Sequence, residues 1–347
     1  MHEIAERLIV TPSDTRWHDL AAASPEATIF HHPAWSRLLA ECYGFKPMVL
    51  LIAGAGGAID AGCPVMEIKR PLGGKRWVAL PFSDHCAPLY RDARALDALA
   101  QWLAEQHQSG ELSEVEVRWP LPPVGGFQAA APNVLSRIRL ASDPAAVAER
   151  IHRHHRRALK KAQREAAIHI ERGTSLEHLE QFYQLHLRTR RRMGLPVQPR
   201  RFFRLIGERL LATGLGYVAV ASSEGVPVAA DLFLHWQGTL TYKFSAGIDT
   251  GRDARANFLL MWDAIQWGCE HGFAWLDLGR SAQSNTGLRT FKERWGAEEA
   301  PLIYSSLPAR PDDLLEHPWM RLVHTVIRRS PAWVCQATGE LLYKYGA

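Results

Sequence analysis

Cysteine is scarce in this sequence, and no two cysteines have the spacing of a metal or redox motif. The 347 residues contain five cysteines, which are Cys42, Cys63, Cys86, Cys269 and Cys335. An odd number of widely spaced cysteines excludes a disulfide framework and a cysteine-based zinc site, and it is typical of reduced thiols. We therefore predict a cytoplasmic protein without a bound metal.

Long apolar runs are missing as well. No stretch approaches the ~18 consecutive apolar residues that a membrane-spanning helix requires. The opening segment, MHEIAERLIV, places acidic side chains before a very short apolar stretch, which differs from a secretory signal peptide. We predict no transmembrane segment, and the inner face of the membrane is the alternative to a location in the open cytoplasm.

The composition is that of a globular protein with a basic excess. Hydrophobic residues make up 47% of the chain and charged residues 22%, which is ordinary for folded domains. A chain of this length exceeds one typical core, so we expect two domains. The net charge of +5 favours an acidic or phosphate-bearing partner.

The segment at 273–295 combines a strand, a polar loop and a helix. Residues 273–278 form a short apolar run that suits a buried strand, and Asp277 would place an acid at a cleft. We expect Thr286 to cap the helix. One helix face should be buried, and it carries Leu288, Phe291 and Trp295.

Two cations of this segment are candidate site residues. Arg280 follows the strand, and Lys292 lies at the edge of the buried helix face, where its ammonium can reach polar groups. The two could converge on one anion, such as a diphosphate or a developing oxyanion. The alternative is that both are ordinary solvated charges.

The runs DLGRS and GLRTFKERWGAE, a tyrosine strand before them and the basic helix near residue 155 resemble the FemAB family of aminoacyl and acyl transferases. The resemblance covers roughly residues 28 to 305. It points to the FemAB-related branch associated with bacterial exopolysaccharide and envelope systems. It implies an α+β fold with α/β-type layers, in which two tandem GNAT-like domains have mixed, largely antiparallel sheets flanked by helices.

Three segments follow from the element pattern and this resemblance. Residues 1–141 would be a degenerate GNAT-like domain, 142–311 a GNAT-like domain with basic helices, and 312–347 a helical tail. Prolines and glycines at 120–132 predict a loop before the boundary. The tail carries aromatic and basic side chains, so a peripheral membrane contact is one interpretation and packing on its own domain is the other.

A single basic helix is predicted from Pro144 to about Ala167. Its histidines point to different faces, so we predict no metal site there. A run of cations without an acidic residue favours a phosphate-rich partner such as tRNA, and a solvated face is the alternative. The candidate phosphate-binding or tRNA-binding residues are Arg153, Arg156, Arg157, Lys160 and Lys161.

A loop bounded by prolines follows a predicted strand at 77–80. Ser83, Asp84 and His85 offer a hydroxyl, a carboxyl and an imidazole, and they are candidate substrate-binding residues. Adjacent side chains diverge and cannot form a hydrolase triad. The resemblance implies a substrate-facing loop, and a rigid turn is the alternative.

Charged residues and a tyrosine lie within predicted strands of the second domain. A central charge such as Asp231 or Lys243 is costly unless it is paired or faces a cleft. Tyr242 is a candidate catalytic residue, because its phenol could bind substrate or carry a proton. A purely packing role is the alternative.

The segment before the helix at 258–271 indicates which acyl donor the protein could bind. Acetyl-CoA-dependent GNAT proteins hold a pyrophosphate on the backbone N–H groups of a glycine-bearing loop. The corresponding residues 252–257 lack both glycines, which disfavours close approach to a pyrophosphate. Arg255 and Asn257 remain candidate substrate-binding residues. We expect no tightly bound cofactor, with aminoacyl-tRNA as the donor and acyl-CoA as the alternative.

The resemblance implies an N-acyltransferase that moves an aminoacyl group onto an amine of a peptidoglycan or envelope-polysaccharide precursor. The acceptor would be a phosphate-bearing small molecule or a lipid-linked saccharide. Lys292, carried over from the family's FK motif, would stabilise developing negative charge, and Arg280 would anchor phosphate. The alternatives are an acetyl-CoA-dependent N-acetyltransferase in exopolysaccharide biosynthesis and a non-catalytic protein that binds an anionic polymer.

Overall fold

The computed structural model describes residues 6–54, 56–70, 73–165, 167–248, 255–309 and 318–346. The chain divides into two compact units. The first unit comprises Met1–Val134 and Pro301–Asp312, and the second comprises Leu135–Ala300 and Asp313–Ala347. Residues 301–309 were predicted to belong to the second domain, whereas they group with the first unit because their strand pairs there.

The first unit contains a mixed sheet. Its strands are β1 (Glu6–Val10), β2 (Lys46–Ala53), β3 (Ile59–Lys69), β4 (Lys75–Val78), β5 (Leu89–Tyr90) and β6 (Glu114–Val117). Antiparallel pairing joins β1 to β2, β2 to β3, β3 to β4 and β3 to β5. Strand β6 runs parallel to β4, and the late strand β13 (Glu298–Leu307) pairs antiparallel with β6.

Helices cover the apolar side chains of this sheet. They are α1 (Thr15–Ala23), α2 (Pro33–Tyr43) and α3 (Ala93–Gln108). The bounds of α3 are those that its alanine-rich amphipathic pattern predicts. Asp92 caps it by accepting a 2.9 Å hydrogen bond from the backbone N–H of Ala95. Leu99 and Leu103 are fully buried against Leu50, which supplies part of the core.

The chain passes from the first unit to the second within β7 (Gln128–Arg139). This strand begins inside the segment predicted to be a loop at 120–132. The prediction of a loop over that whole segment was wrong, because composition does not show which backbone groups will find a partner strand. The later residues of β7 lie beside a strand of the second unit.

The second unit alternates helices with a largely antiparallel sheet. Its elements are α4 (Pro144–Arg150), α5 (Arg153–Glu165), β8 (Ile168–Gly173), α6 (Leu176–Met193), α7 (Arg200–Arg209), β9 (Gly216–Ser223), β10 (Val226–Trp236), β11 (Thr239–Gly247), α8 (Ala256–Glu270), β12 (Trp275–Ala282) and α9 (Thr286–Arg294). After β13 the chain returns to this unit with α10 (Pro318–Arg329) and α11 (Ala332–Leu342). Neighbouring strands β8 to β11 are antiparallel, whereas β12 runs parallel to β11.

Helices pack on both faces of this second sheet. On one face, Leu260 and Ile265 of α8 share a fully buried cluster with Phe233 of β10 and Leu240 of β11. On the other, Phe244 of β11 lies in an aromatic group with rings from α6 and α7. The β-strand period of two therefore places apolar side chains in two separate layers.

The predicted single basic helix is two helices. The prediction was wrong at Ile151, where the backbone turns extended at φ −68° and ψ 130° and ends α4. Ile151 is buried in the core of the second unit, and the next backbone N–H, of His152, donates to the carbonyl oxygen of Arg294 at 2.9 Å. These tertiary contacts break the helix at a point that contains no proline or glycine.

The described residues contain neither a membrane-spanning helix nor a cluster of potential metal ligands. None of their helices has the length and apolarity that crossing a membrane would require. Within the same part of the chain, histidine, cysteine, aspartate and glutamate side chains form no group of three suited to holding a metal ion.

Candidate functional site

The parallel strands β11 and β12 separate part of the way along their length. Their pairing runs from Thr239 opposite Trp275 to Thr241 opposite Asp277. Beyond that point β11 continues to Gly247 and β12 to Ala282, but the described register between them ends. The two strand ends therefore leave an opening in the sheet.

Different helices hold the two separated strand ends. At the end of β11, the Gly247 N–H donates to Thr189 Oγ1 of α6 at 3.1 Å, and the Gly247 carbonyl oxygen accepts from the same hydroxyl and from Arg192, each at 3.2 Å. At the end of β12, Lys292 Nζ of α9 donates to the carbonyl oxygens of Gly279 at 2.8 Å and Arg280 at 3.2 Å. Backbone groups that would otherwise pair across the sheet are thus satisfied on either side of the opening.

A β-bulge lies next to the point of separation. In the pairing of β10 with β11, Phe233 is opposite Tyr242 and Leu232 is opposite Phe244, so Lys243 is the extra residue. An extra residue reverses the alternation of side chains. Tyr242 consequently packs with the α8 layer, while Phe244 faces α6 and α7.

Asp231 of β10 is the most perturbed acid of this region. It is completely buried, and its Oδ1 accepts a 3.2 Å hydrogen bond from the Tyr242 hydroxyl. Its Oδ2 has no hydrogen-bond partner among the described residues. Burial raises the pKa of Asp231 to about 7, although hydrogen bonding by Ser245 and Tyr242 limits the rise. A carboxyl group with this pKa can accept and release a proton near neutral pH.

Tyr242 connects this acid to the edge of the opening. It is only partly buried, whereas Asp231 is enclosed. Burial, followed by the nearby Asp231 carboxylate, raises the pKa of Tyr242 well above its usual range. The hydroxyl therefore stays protonated and donates a hydrogen bond to Asp231. The predicted catalytic candidate Tyr242 thus has a partner that can receive a proton.

The end of β12 turns tightly behind Asp277. This buried acid accepts a 2.7 Å hydrogen bond from the N–H of Gly279, and Gly279 has a left-handed φ of 68°. Ser281 follows, and its buried Oγ has no partner among the described residues. Asp277 thus shapes the strand end, and a role in contacting substrate stays a prediction.

Lys292 and Arg280 occupy different environments. Lys292 is 5% exposed and directs its ammonium to backbone carbonyl oxygens, whereas the Arg280 side chain is exposed. The two hydrogen bonds of Lys292 hold the end of β12 in place. That the two cations share one anion, and that Lys292 acts in catalysis, both stay predictions.

Two details of α9 differ from the prediction. The cap is Asn285, not Thr286, because Asn285 Oδ1 accepts from the N–H of Leu288 at 3.1 Å. Leu288 is 39% exposed and does not lie on a buried face. Trp295 is fully buried as predicted, and Phe291 packs partly against the same core.

The beginning of α8 lies beside the end of β11. Arg255 is its N-terminal cap residue and makes no side-chain capping bond, while Asn257 Oδ1 is buried without a partner among the described residues. A Cβ added to Gly247 would come within 3.2 Å of that amide oxygen, which shows how close the two elements are. Residues 252–254 of the predicted donor loop lie outside the described residues.

In the first unit, hydrogen bonds from Arg118 and Tyr304 hold the loop that contains Ser83, Asp84 and His85. Arg118 of the strand end at β6 donates to the carbonyl oxygen of Ser83 and forms a 2.9 Å ion pair with Glu116. The Tyr304 hydroxyl donates to the carbonyl oxygen of Asp84 at 2.6 Å. Ser83 and His85 are buried, so only Asp84 of the three is even partly exposed. Their substrate-binding role stays a prediction.

The loop also carries backbone strain. Leu80 and Phe82 have left-handed φ values of 51° and 63°, which non-glycine residues seldom adopt. Such conformations persist where surrounding contacts enforce them and are frequent at ligand sites. Here the Leu80 carbonyl oxygen accepts a 3.3 Å hydrogen bond from the Ser83 N–H, and the Phe82 ring lies 4.9 Å from that of Tyr43.

The cationic residues of α5 form an exposed surface. The five candidates, Arg153, Arg156, Arg157, Lys160 and Lys161, are all exposed. His155 points inward among Phe258, Phe291 and Trp295, and burial lowers its pKa to about 4. It is therefore a neutral core residue near pH 7, while the five cations lie on the exposed side of α5.

Comparison with known proteins identifies the fold. Residues 149–293 match the family model described as "Acetyltransferase (GNAT) domain". No curated protein sequence matches the chain. The matched segment contains the separated strands, the bulge and the Asp231–Tyr242 pair.

Solved structures extend this likeness beyond residues 149–293. The crystal structure of FemX superimposes with a TM-score of 0.71 at 13% identity, covering 92% of this chain and all of that one (100%). L-PGS from Bacillus licheniformis gives 0.53 at 16% identity, covering 92% and 98%. A tandem GNAT protein from the clavulanic acid biosynthesis pathway gives 0.53 at 14%, covering 89% and 100%. The predicted resemblance and the tandem GNAT-like fold are confirmed.

Asp231 was not among the predicted site residues. Its sequence indication is a carboxyl group inside the apolar run of β10, which is costly unless the acid is paired or faces a cleft. The bulge that brings Tyr242 to it depends on strand register, which the sequence does not display. No pattern in the sequence indicates that the Ser281 hydroxyl is buried without a partner among the described residues.

Proposed function

We propose that this protein is an N-acyltransferase that uses the opening between β11 and β12 as its reaction site. The GNAT acyltransferase fold supports this reaction class. The observation that carries the proposal is the buried Asp231, whose pKa of about 7 and free Oδ2 suit it to take a proton. An amine nucleophile must lose a proton as it attacks an acyl carbon, so the reaction requires such a group.

The proton reaches Asp231 through Tyr242. As the amine nitrogen bonds to the acyl carbon, the Tyr242 oxygen accepts the amine proton and its own proton moves to Asp231 along the 3.2 Å hydrogen bond. The bond between the acyl carbon and the leaving oxygen or sulfur breaks, and the proton held by Asp231 returns through Tyr242 to the leaving atom. Both side chains finish in their starting states.

We assign the donor as aminoacyl-tRNA and the acceptor as an amine of a peptidoglycan or envelope-polysaccharide precursor. The exposed cations of α5 support a phosphate-rich donor. The FemAB resemblance supports the acceptor class. In this scheme Arg280, exposed at the end of β12, anchors a phosphate, and Lys292 fixes the backbone that borders the acyl group.

A second candidate is an acetyl-CoA-dependent N-acetyltransferase. The family model that matches residues 149–293 describes acetyltransferases, which favours this donor. The start of α8, which has no side-chain cap, is a place where a diphosphate could meet backbone N–H groups. Saturable micromolar binding of acetyl-CoA by isothermal titration would favour this candidate.

The decisive test compares transfer by wild type and Asp231→Asn. Labelled aminoacyl-tRNA and labelled acetyl-CoA are each supplied with amine-bearing envelope precursors, and product is measured between pH 5.5 and 9. We expect wild-type kcat/KM to rise with an apparent pKa near 7 and Asp231→Asn to lose at least about a hundredfold. Asp97→Asn, at an exposed acid of α3, is the matched control. Wild-type rates in a folded Asp231→Asn protein would remove Asp231 from the mechanism.

A further inference from the structure

A cleft of about 560 Å³ lies between α6 and α7 of the second unit, on the side of the sheet opposite α8. We propose that it binds a phosphate ester that carries an apolar chain. The phosphate would lie at Arg201 and Arg204, and the chain would run over Leu176. This site lies apart from the opening between β11 and β12 and does not depend on the reaction proposed there.

The charges in the cleft favour an anion. Both carboxylates of the lining are already engaged by Arg200, since Glu180 accepts from its guanidinium at 2.9 Å and Glu340 from its backbone N–H at 2.9 Å. Arg201 makes no described ion pair, and Arg204 has only an exposed 3.8 Å contact with Glu208. Exposed contacts of that kind contribute little, so both guanidiniums can bind a ligand.

Arg200 also gives the cleft a fixed wall. Its guanidinium lies 4.9 Å from the centre of the Tyr183 ring, and this cation–π contact fixes the position of both side chains. Burial raises the pKa of Tyr183 to about 12, which keeps the phenol neutral. The Tyr183 phenol therefore adds no negative charge beside an anion at Arg201 and Arg204.

The remaining lining is apolar. Leu179 and Phe203 are buried beneath the cleft, whereas Leu176 is 69% exposed at its edge. An alkyl or acyl chain lying over Leu176 would remove that side chain from water and contact the rest of the apolar lining.

A phosphate suits the cation pair better than a carboxylate does. Arg201 and Arg204 are three residues apart on α7, so their side chains are neighbours on one helix surface. Guanidinium groups bind phosphate oxygens through paired N–H donors, and a phosphate monoester offers oxygens to two such groups at once. A single carboxylate has fewer acceptor positions to share.

The test measures binding of n-butyl, n-hexyl and n-octyl phosphate, of inorganic phosphate and of octanoate by isothermal titration. We expect affinity to rise about threefold to fourfold for each added methylene that the cleft covers. Octanoate and inorganic phosphate should bind at least about tenfold more weakly than octyl phosphate. Equal affinity for inorganic and octyl phosphate, or for octanoate and octyl phosphate, would overturn the proposal.

Two variants locate the site. Arg201→Gln/Arg204→Gln should weaken octyl phosphate binding at least about tenfold, and Leu176→Ser should flatten the dependence on chain length. The matched control, Arg37→Gln/Arg188→Gln, removes the same charge from exposed positions outside the cleft and should bind as wild type does. Equal loss in the control would show only nonspecific attraction and would contradict the proposal.

Vesicles distinguish the source of the ligand. Binding to phosphatidylcholine vesicles that contain phosphatidic acid, lost in Arg201→Gln/Arg204→Gln, would identify a membrane lipid. Binding of monomeric octyl phosphate without vesicle binding would identify a free amphiphile. Neither measurement uses acyl transfer, so failure here and failure of the proposed reaction can be told apart.

Discussion

Replacing Asp231 with asparagine removes an ionisable carboxyl group from the interior of the second unit. The side chain is fully buried, and its pKa rises from 3.8 to about 7. Between these two values the folded protein keeps the proton while the unfolded chain has lost it. Stability must therefore fall as the pH rises through this window and become level above it, because protons then stabilise the folded state.

The size of the effect follows from the shift. About three pK units at 1.36 kcal/mol each correspond to about 4 kcal/mol, of which about 3 kcal/mol is lost between pH 4.5 and pH 8. Asparagine is nearly the same size and does not ionise. We expect the free energy of unfolding of Asp231→Asn, relative to wild type, to increase by about 3 kcal/mol over that pH range.

Urea unfolding at a series of pH values measures this difference directly. Asp97→Asn, at an exposed acid, should follow the wild-type curve and serves as the control. Parallel pH dependence in wild type and Asp231→Asn would refute the reasoning, because it would mean that Asp231 ionises in the folded protein as easily as in the unfolded chain.

Three further predictions test the neighbours of this acid and the first unit. Tyr242→Phe removes a hydrogen bond that lowers the pKa of Asp231, so the rise of kcat/KM with pH should move above 7 and the maximum rate should fall at least about tenfold. Lys292→Met should keep the fold but lower turnover about a hundredfold or more, as measured by steady-state transfer, and wild-type turnover would exclude Lys292 from the mechanism. Arg118→Met leaves the buried Glu116 without its 2.9 Å partner and should destabilise the first unit by about 3 kcal/mol in urea unfolding, with much of that loss recovered in Arg118→Met/Glu116→Gln. No recovery would show that the ion pair is not the cause.

Local patterns predicted the regular elements well. Apolar side chains at helical spacing locate α3 at its observed bounds, and the turn residues Gln237 and Gly238 mark the boundary between β10 and β11. Predictions failed where a distant contact decides the backbone. Ile151 ends a helix because it is buried in the core and because the His152 N–H donates to the Arg294 carbonyl oxygen. Neither contact can be deduced from the residues adjacent in sequence.

The candidate site could likewise be predicted only in part. A carboxyl group in an apolar strand and a tyrosine in the next strand were visible in the sequence, and each could be noted singly. What joins them is the extra residue Lys243 and the end of pairing at Thr241, which depend on the register of three strands. Residue type can be read from a sequence, but register is fixed by packing over the whole sheet.

The bulge, the separated strands and the buried acid occur within a few residues of one another, and each alone lowers stability. The separation leaves strand backbone for Thr189 and Lys292 to satisfy, and Asp231 adds an ionisation cost in the same sheet. Asparagine at 231 would lower that cost while abolishing the proton acceptor. A variant that is more stable at pH 8 and inactive would therefore separate the two effects, since a purely structural acid would gain stability on replacement without any loss of turnover.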